Sequence, residues 1–252
     1  RKVITGRFLK FLNEQSRTNK EKYKEFWDKF SMFIKEGATS DFTYRKDLVK
    51  LMRFESSASK PGELVSLEEY IERMKEGQNS IYYINGPTRE AIESGPYFEI
   101  FKQREIEVLY THEPVDDYVL SQLGKYEGKK LLSGDQVDLD LPGDSKGENK
   151  AQEMSKDEVK DLVAWLKQVF GDKLTEVRQS NRLVDSPAIA LGAGGSTHSM
   201  QRMMQMLNRD FSNMGSITLE LNTSHSLIRH LNAMRTKDEN FARTIAEQVL
   251  DN

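Results

Sequence analysis

The stretch from Ser80 to Leu120 constrains the fold most, because it holds two strand patterns joined by a long helical connection. Residues 81–84 (IYYI) and 106–110 (IEVLY) are β-branched and aromatic runs, each stopped by a turn sequence. Residues 88–104 between them show a helical spacing of apolar residues, which a Gly-Pro pair divides into two pieces. A crossover of about twenty residues that contains helix returns to a parallel neighbour. The stretch therefore predicts a β-α-β unit in an α/β layer.

Three helices are predicted before this unit, over residues 3–15, 19–36 and 46–54. The second has the strongest pattern, with a broad apolar stripe that we expect to be core and with Gly37 as its C-terminal stop. The stripe consists of Tyr23, Phe26, Trp27, Phe30, Phe33 and Ile34.

Local signals place the remaining elements of the first half. Ser66 and Glu69 form a capping-box pattern that begins a helix over residues 67–75. Pro114, followed by Asp116 and Asp117, favours a helix start that leads into residues 118–125. Residues 130–132 are expected to add a short strand.

Residues 133–153 are low in aromatics and dense in Gly, Asp, Ser and Lys, so they cannot bury enough apolar area to order themselves. We therefore expect a helical coil over 1–54, a small α/β subdomain over 55–133, a linker over 134–153 and an α+β domain over 154–252. In that last domain we predict a helix at 155–170, paired strands at 174–184 and 187–191, a strand at 216–221, and helices at 226–234 and 239–250.

Composition excludes several classes of function. The net charge of −3 gives no electrostatic attraction to nucleic acid or to an anionic membrane, and no apolar run is long enough to span a bilayer. The absence of cysteine rules out disulfides, thiol nucleophiles and cysteine metal sites. The chain starts at Arg1 without an initiator Met or a cleavable signal, so we expect it to be an internal piece of a longer protein.

The glycine-rich stretch from Gly192 to Thr197 follows a predicted strand and precedes a predicted helix, as phosphate-binding loops do. It lacks the lysine of a Walker loop and the third glycine of a dinucleotide fingerprint. A flexible loop with Ser196 or Thr197 as helix cap is the simpler interpretation. An α/β enzyme that binds a phosphorylated ligand at this loop stays open as an alternative.

The helix predicted after that loop carries a methionine-rich face. Its apolar residues are Met200, Met203, Met204, Leu207 and Phe211. Methionine is flexible and polarizable and suits surfaces that accept many shapes, which favours promiscuous binding. The alternative is that the face packs on its own domain. The four histidines show neither the i, i+4 pair nor the partners of a metal site, and no nucleophile elbow is present, so we assign no metal ligand and no catalytic residue.

Several segments, in order along the chain, resemble the ninety-kilodalton heat-shock protein chaperones. They are FWDKFSMFIKEG, KLMRFESS, SLEEYIERMKEGQNSIYYI, SGPYFEIFKQREIEVLYTHEPVDDYVLSQLGKYEGKKLL, VRQSNRLVDSPAIA and SITLELNTSHSLIRHLN. The resemblance covers the middle and C-terminal segments of that family, and the sequences of these segments are most similar to its bacterial and mitochondrial branches. It implies part of an ATP-dependent chaperone, with mitochondrial placement as the first expectation and the bacterial cytoplasm as the alternative.

The resemblance also implies specific roles. The Met-rich helix corresponds to a client-contacting helix, although Ser196 stands where the family often has an aromatic residue. Tyr118 lies where the family has a surface aromatic near the client cleft, whereas the residue type alone favours an ordinary half-buried tyrosine. In the family, ATP and Mg²⁺ act in regions that precede this stretch, so residues 1–252 are expected neither to hydrolyse nor to bind ATP tightly. The parent is expected to be a homodimer, and this chain a weak dimer or a monomer.

Overall fold

The computed structural model describes residues 2–136, 139, 141–142, 154–192 and 217–251. It is a mixed fold of helices and two sheets, which confirms the predicted combination of α/β and α+β architecture. Contacts divide the chain into two compact units. Unit 1 holds residues 1–92 and 106–133, and unit 2 holds residues 93–105 and 134–252. The expected domain boundaries stay predictions, and these contacts place the middle of the crossover, residues 93–105, in unit 2.

Unit 1 begins with three helices, α1 (Lys2–Thr18), α2 (Lys20–Ser40) and α3 (Arg45–Leu51). Helix α2 does not stop at Gly37 as predicted, but continues to Ser40 and is capped by Asp41. A Cβ at position 37 would lie 3.0 Å from Cδ1 of Leu48 in α3. The glycine therefore permits close packing of two helices rather than ending one.

The apolar stripe of α2 is only partly core, which corrects the prediction. Tyr23, Trp27 and Ile34 are buried, whereas Phe30 is 46% exposed and Phe33 is 67% exposed. The stripe is wider than the face that α2 turns toward its neighbours. The buried side chains continue into α3, where Leu48, Val49 and Leu51 complete this part of the core.

The sheet of unit 1 has the strand order β1-β3-β2-β5-β4. The strands are β1 (Glu55–Ser56), β2 (Ser80–Asn85), β3 (Leu109–Thr111), β4 (Lys125–Tyr126) and β5 (Lys129–Ser133). Strand β2 is parallel to β3, with Tyr83 opposite Leu109, and parallel to β5, while β1 and β4 are antiparallel edges. The predicted β-α-β connection is thereby confirmed. Residues 81–83 are fully buried, as expected for a central parallel strand.

Four helices accompany this part of the chain: α4 (Leu67–Glu72), α5 (Arg89–Glu93), α6 (Pro96–Gln103) and α7 (Pro114–Leu123). The capping box of α4 is present, since Ser66 Oγ accepts from Glu69 N–H at 3.1 Å and Glu69 Oε2 accepts from Ser66 N–H at 2.8 Å. The helical pattern is divided at the Gly-Pro pair, as the sequence predicted: Gly95 precedes α6 as its N-cap and Pro96 begins it.

Unit 2 contains α8 (Lys156–Phe170), a three-stranded sheet and two closing helices. The strands are β6 (Leu174–Gln179), β7 (Ala188–Gly192) and β8 (Ile217–Leu221), and the helices are α9 (Ser226–Met234) and α10 (Glu239–Asp251). The prediction that β6 and β7 pair with each other is wrong. The strand order is β6-β8-β7, with β8 parallel to β6 and antiparallel to β7.

Polar anchoring of the loop between β6 and β7 explains this order. The carboxylate of Glu220, which is 1% exposed on β8, accepts from Arg178 at 2.8 Å and pairs with Arg182 at 3.2 Å. The carboxylate of Glu99 on α6 accepts from the backbone N–H groups of residues 184–186 at 2.7, 3.0 and 2.9 Å. These bonds turn the chain away after Gln179 and leave the buried β8 as the central strand.

Candidate functional site

Helix α7 carries Tyr118, the one predicted binding residue that falls within the described ranges. Pro114 occupies the first turn, where its missing N–H costs nothing. Asp116 Oδ2 accepts a hydrogen bond from Glu113 N–H at 3.3 Å, which satisfies a backbone donor at the helix start. Gly124, with a φ of 62°, closes the helix by donating its N–H to the carbonyl of Leu120 at 3.1 Å.

The buried face of α7 combines charged and apolar side chains. Asp116 and Asp117 are buried together with Val119 and Leu120, and Asp117 is 0% exposed. Tyr118 lies between these pairs in sequence and is 37% exposed. Because successive helical residues are about 100° apart, Tyr118 points away from the face that the other four residues share. The helix thus presents an aromatic side chain outward.

A lysine from another helix neutralises the start of α7. Lys35 Nζ of α2 lies 2.6 Å from Asp116 Oδ1 and 3.0 Å from Glu113 Oε2, and its side chain is 8% exposed. Burial by itself lowers the pKa of Lys35, but the charges and hydrogen bonds of Asp116 and Glu113 outweigh burial and raise that pKa above its ordinary value. The ammonium group is therefore held in its charged form. It also lies 5.8 Å from the ring centroid of Trp27.

The sheet edge supplies a further anchor for the same helix start. Asn85 Nδ2, at the end of β2, donates to the carbonyl of Glu113 at 3.2 Å and to Thr111 Oγ1 at 3.1 Å. The start of α7 is thus bonded both to α2 and to the carboxyl end of a parallel strand. Sequence reasoning assigned the aspartates to helix capping and missed Lys35, because its partner carboxylates lie 78 residues or more along the chain and no local pattern links them.

The five other predicted binding residues lie outside the described residues. They are Met200, Met203, Met204, Leu207 and Phe211. Residues 193–197 of the glycine-rich loop also lie outside, and Gly192 is the last residue of β7. The assignment of this methionine face to binding therefore stays a prediction. In the described ranges, no cluster of three or more His, Asp or Glu side chains is arranged to hold a metal ion.

Helices α1 and α2 expose part of the apolar faces that the sequence predicted for them. The helix over residues 3–15 was predicted from the spacing of Ile4, Phe8, Phe11 and Leu12. Ile4, Phe8 and Phe11 are 74%, 53% and 53% exposed, whereas Leu12 is buried, as is Leu9. Among the described helices, none combines the length and the apolar character that a membrane span needs.

Comparison with known proteins gives a family match over the whole chain. The sequence model of the family described as "Hsp90 protein" matches residues 1–252. "Chaperone protein HtpG" of Desulfitobacterium hafniense is 52% identical over 251 residues, which cover 100% of this chain and 41% of that relative.

Two further relatives extend the comparison. "Chaperone protein HtpG" of Desulfotalea psychrophila is 42% identical over 100% of this chain and 42% of its own length. "Heat shock protein 75 kDa, mitochondrial" of Rattus norvegicus is 34% identical over 100% of this chain and 37% of its own length. The chain thus spans about two-fifths of the length of the curated relatives it matches.

Proposed function

The chain belongs to the Hsp90 family, and we propose that residues 1–252 form part of an ATP-dependent molecular chaperone that binds partly folded client proteins. The observation that carries the proposal is the family match over the full chain, with relatives named as chaperones. The enzyme alternative built on residues 192–197 gains no support from these relatives. Protection of that loop from hydrogen exchange by a nucleotide would favour it.

Client binding is proposed to use two apolar surfaces. One is the outward side of α7 at Tyr118, where an exposed aromatic ring can cover apolar segments of an unfolded chain and its hydroxyl can stay hydrated. The other is the predicted methionine face that starts at Met200, where flexible side chains suit clients of many shapes.

Nucleotide chemistry is proposed to belong to the longer protein. ATP and Mg²⁺ would drive its change between open and closed states, and residues 1–252 would transmit that change. We expect residues 1–252 to bind MgATP only weakly, because the family resemblance assigns nucleotide binding to regions other than this stretch. A calorimetric titration that gave a micromolar dissociation constant would contradict this expectation.

Assembly and cellular location are also proposals. We propose that the longer protein is a homodimer and that residues 1–252 associate only weakly. Sedimentation of this chain that gave a tight dimer at low micromolar concentration would contradict the weak association. The bacterial branch is favoured over the mitochondrial one, since identity to the bacterial relative from Desulfitobacterium is 52% against 34% for the rat mitochondrial protein. Placement in a bacterial cytoplasm follows from that branch alone.

The proposal is tested by suppression of aggregation of heat-denatured luciferase without nucleotide. The variants are Tyr118→Ala and a triple change of Met200, Met203 and Met204 to Ser. Met32→Ser is the matched control, because Met32 is 48% exposed on α2 and lies outside both surfaces. We expect wild type and control to suppress aggregation and both site variants to do so less, with circular dichroism showing all four folded. Folded site variants that equal wild type would refute the assignment of these two surfaces.

A further inference from the structure

Lys35 is buried, and a buried lysine is stable only when its charge is paired with a nearby acidic group. It lies on α2 beside Ile34, its side chain is 8% exposed, and the adjoining surface of the helix belongs to the core of unit 1. Lysine is rarely buried this far unless it is paired. Burial of an ammonium group is costly unless its charge and its hydrogen bonds are both satisfied. The position of Lys35 therefore depends on the carboxylates that it meets.

Both carboxylates belong to the start of α7. Asp116 is 7% exposed and lies 2.6 Å from Lys35 Nζ, whereas Glu113 is 52% exposed and lies 3.0 Å from it. The positive end of a helix favours acidic side chains, but Asp116 is buried, and burial of a carboxylate is costly unless its charge is paired or hydrogen-bonded. Lys35 pairs with it from a different helix. The bond joins α2 and α7 directly.

The contacts of Lys35 with α7 depend on the rotation of that helix about its axis, whereas the apolar contacts of α7 depend on it much less. Val119 and Leu120 are 0% exposed and fix how deep the helix lies, but apolar contacts tolerate small rotations about its axis. The ion pair of Lys35 with Asp116 and its charged hydrogen bond to Glu113 Oε2 restrict that rotation. Asp116 precedes Tyr118 by two residues, or about 200° around the helix. Whatever turns Asp116 inward turns Tyr118 outward.

We propose that Lys35 is a positioning residue for the binding surface at Tyr118: through Asp116 and Glu113 it sets the rotation of α7 and with it the direction of the exposed ring. The proposal rests on the proposed function for the role of Tyr118 in client binding. Asn85 holds the carbonyl of Glu113 at 3.2 Å and keeps the start of α7 on the sheet. Loss of Lys35 therefore turns the helix without detaching it.

The first test reports on Tyr118 directly and needs no client. Wild type, Lys35→Met, Lys35→Arg and Lys24→Met are labelled with 3-fluorotyrosine, and the ¹⁹F resonance of residue 118 is assigned by its loss in Tyr118→Phe. Lys24 is the matched control, since it is an exposed lysine of the same helix that pairs with Asp28. We expect the resonance to shift in Lys35→Met, to return close to its place in Lys35→Arg, and to stay in Lys24→Met. An unshifted resonance in folded Lys35→Met overturns the proposal.

The second test measures binding of fluorescently labelled, reduced and carboxymethylated α-lactalbumin by anisotropy. Truncation of a central interface aromatic commonly weakens binding about tenfold or more, so we expect that loss for Tyr118→Ala and a roughly threefold to tenfold loss for Lys35→Met. The double variant is expected to bind no worse than Tyr118→Ala. An equal further loss in the double variant would show that Lys35 acts through general stability, and the positioning role would be wrong.

One further variant and one comparison of earlier variants give a clear outcome where the first tests alone do not. If Lys35→Met does not fold, Glu113→Gln removes the more exposed partner carboxylate and is expected to shift the ¹⁹F resonance in the same direction by a smaller amount. No shift in that folded variant overturns the proposal. If Tyr118→Ala binds normally while the methionine variant does not, the positioning proposal is overturned and the proposed chaperone function stands on the other surface.

Discussion

Removal of one hydroxyl, in Tyr70→Phe, is expected to destabilise unit 1 far more than a typical hydroxyl deletion. Tyr70 of α4 is 0% exposed. Its hydroxyl donates to the carbonyl of Glu107 at 2.6 Å and accepts from Gln78 Nε2 and from the backbone N–H of Tyr82, both at 3.1 Å. One donor and two acceptor positions are all that a tyrosine hydroxyl has. The side chain therefore links α4, the strand β2 and the chain before β3.

The magnitude follows from the groups that phenylalanine would leave unpaired. Each buried polar group without a partner costs about 1–3 kcal/mol. A carbonyl, a backbone N–H and one amide hydrogen lose their partner in Tyr70→Phe, and partial relaxation will recover some of the cost. We expect a loss of about 3–5 kcal/mol in the free energy of unfolding of unit 1. Tyr23→Phe is the matched control, because the Tyr23 hydroxyl makes one described bond, to the carbonyl of Leu51 at 2.6 Å, and its loss should cost about 1 kcal/mol.

The assay uses the placement of the two tryptophans. Trp27 lies in unit 1 and Trp165 in unit 2, so in a Trp165→Phe background the fluorescence reports on unit 1 alone. Urea unfolding at pH 7 and 25 °C then gives the midpoint and slope for each variant. Equal losses in Tyr70→Phe and Tyr23→Phe, with unchanged slopes, would refute the reasoning from three shared bonds.

Three further outcomes are expected. Burial raises the pKa of Tyr23 to about 12, so between pH 10 and 12 the unfolded state binds fewer protons than the folded state. The free energy of unfolding should therefore fall by up to about 2–3 kcal/mol across that range. Urea titrations at several pH values should show a shallower fall in Tyr23→Phe than in wild type. Gly86→Ala should cost about 1–3 kcal/mol of stability, because the new Cβ would lie 2.6 Å from Cγ1 of Ile92. Gly6→Ala, whose new Cβ would meet nothing within 4 Å, should instead stabilise α1 by about 0.5–1 kcal/mol. Thermal melts in which both variants shift the melting temperature in the same direction would contradict this. Glu220→Ala should destabilise unit 2 by about 3–5 kcal/mol, because it removes the buried carboxylate that pairs with Arg178 and Arg182. A loss below about 1 kcal/mol in fluorescence-monitored urea unfolding of that unit would show that these ion pairs are dispensable.

Local signals in the sequence predicted local structure correctly. The capping box predicted at Ser66 and Glu69 depends on residues three apart, so the pattern contains everything that the bond needs. The parallel pairing of β2 with β3 followed from the length of the crossover. In each of these cases the partner is fixed by chain distance.

The errors arose where the partner is remote. Gly37 has the sequence context of a helix stop, and only its contact with Leu48 shows that it permits helix packing. The order β6-β8-β7 depends on Glu220 and Glu99, whose bonds to the intervening loop span about forty and about eighty-five residues. Lys35 reaches Glu113 across 78 residues. A sequence pattern indicates which side chains are buried, but it does not identify the remote partner that compensates the cost of burying a charge.

Helix α7 shows why this matters for the binding surface. An ordinary surface helix buries apolar residues and exposes charged ones, but α7 buries Asp116 and Asp117 and exposes Tyr118. Burial of the first aspartate requires Lys35, so the arrangement ties up a second charged side chain in the core of unit 1. Replacing such a buried pair by apolar residues is often neutral or stabilising, so stability alone does not explain it. Departures from the usual pattern are expected at functional sites. The burial of Asp116 with Lys35 is accounted for if these two charges determine the direction of the exposed ring of Tyr118 rather than the stability of the helix.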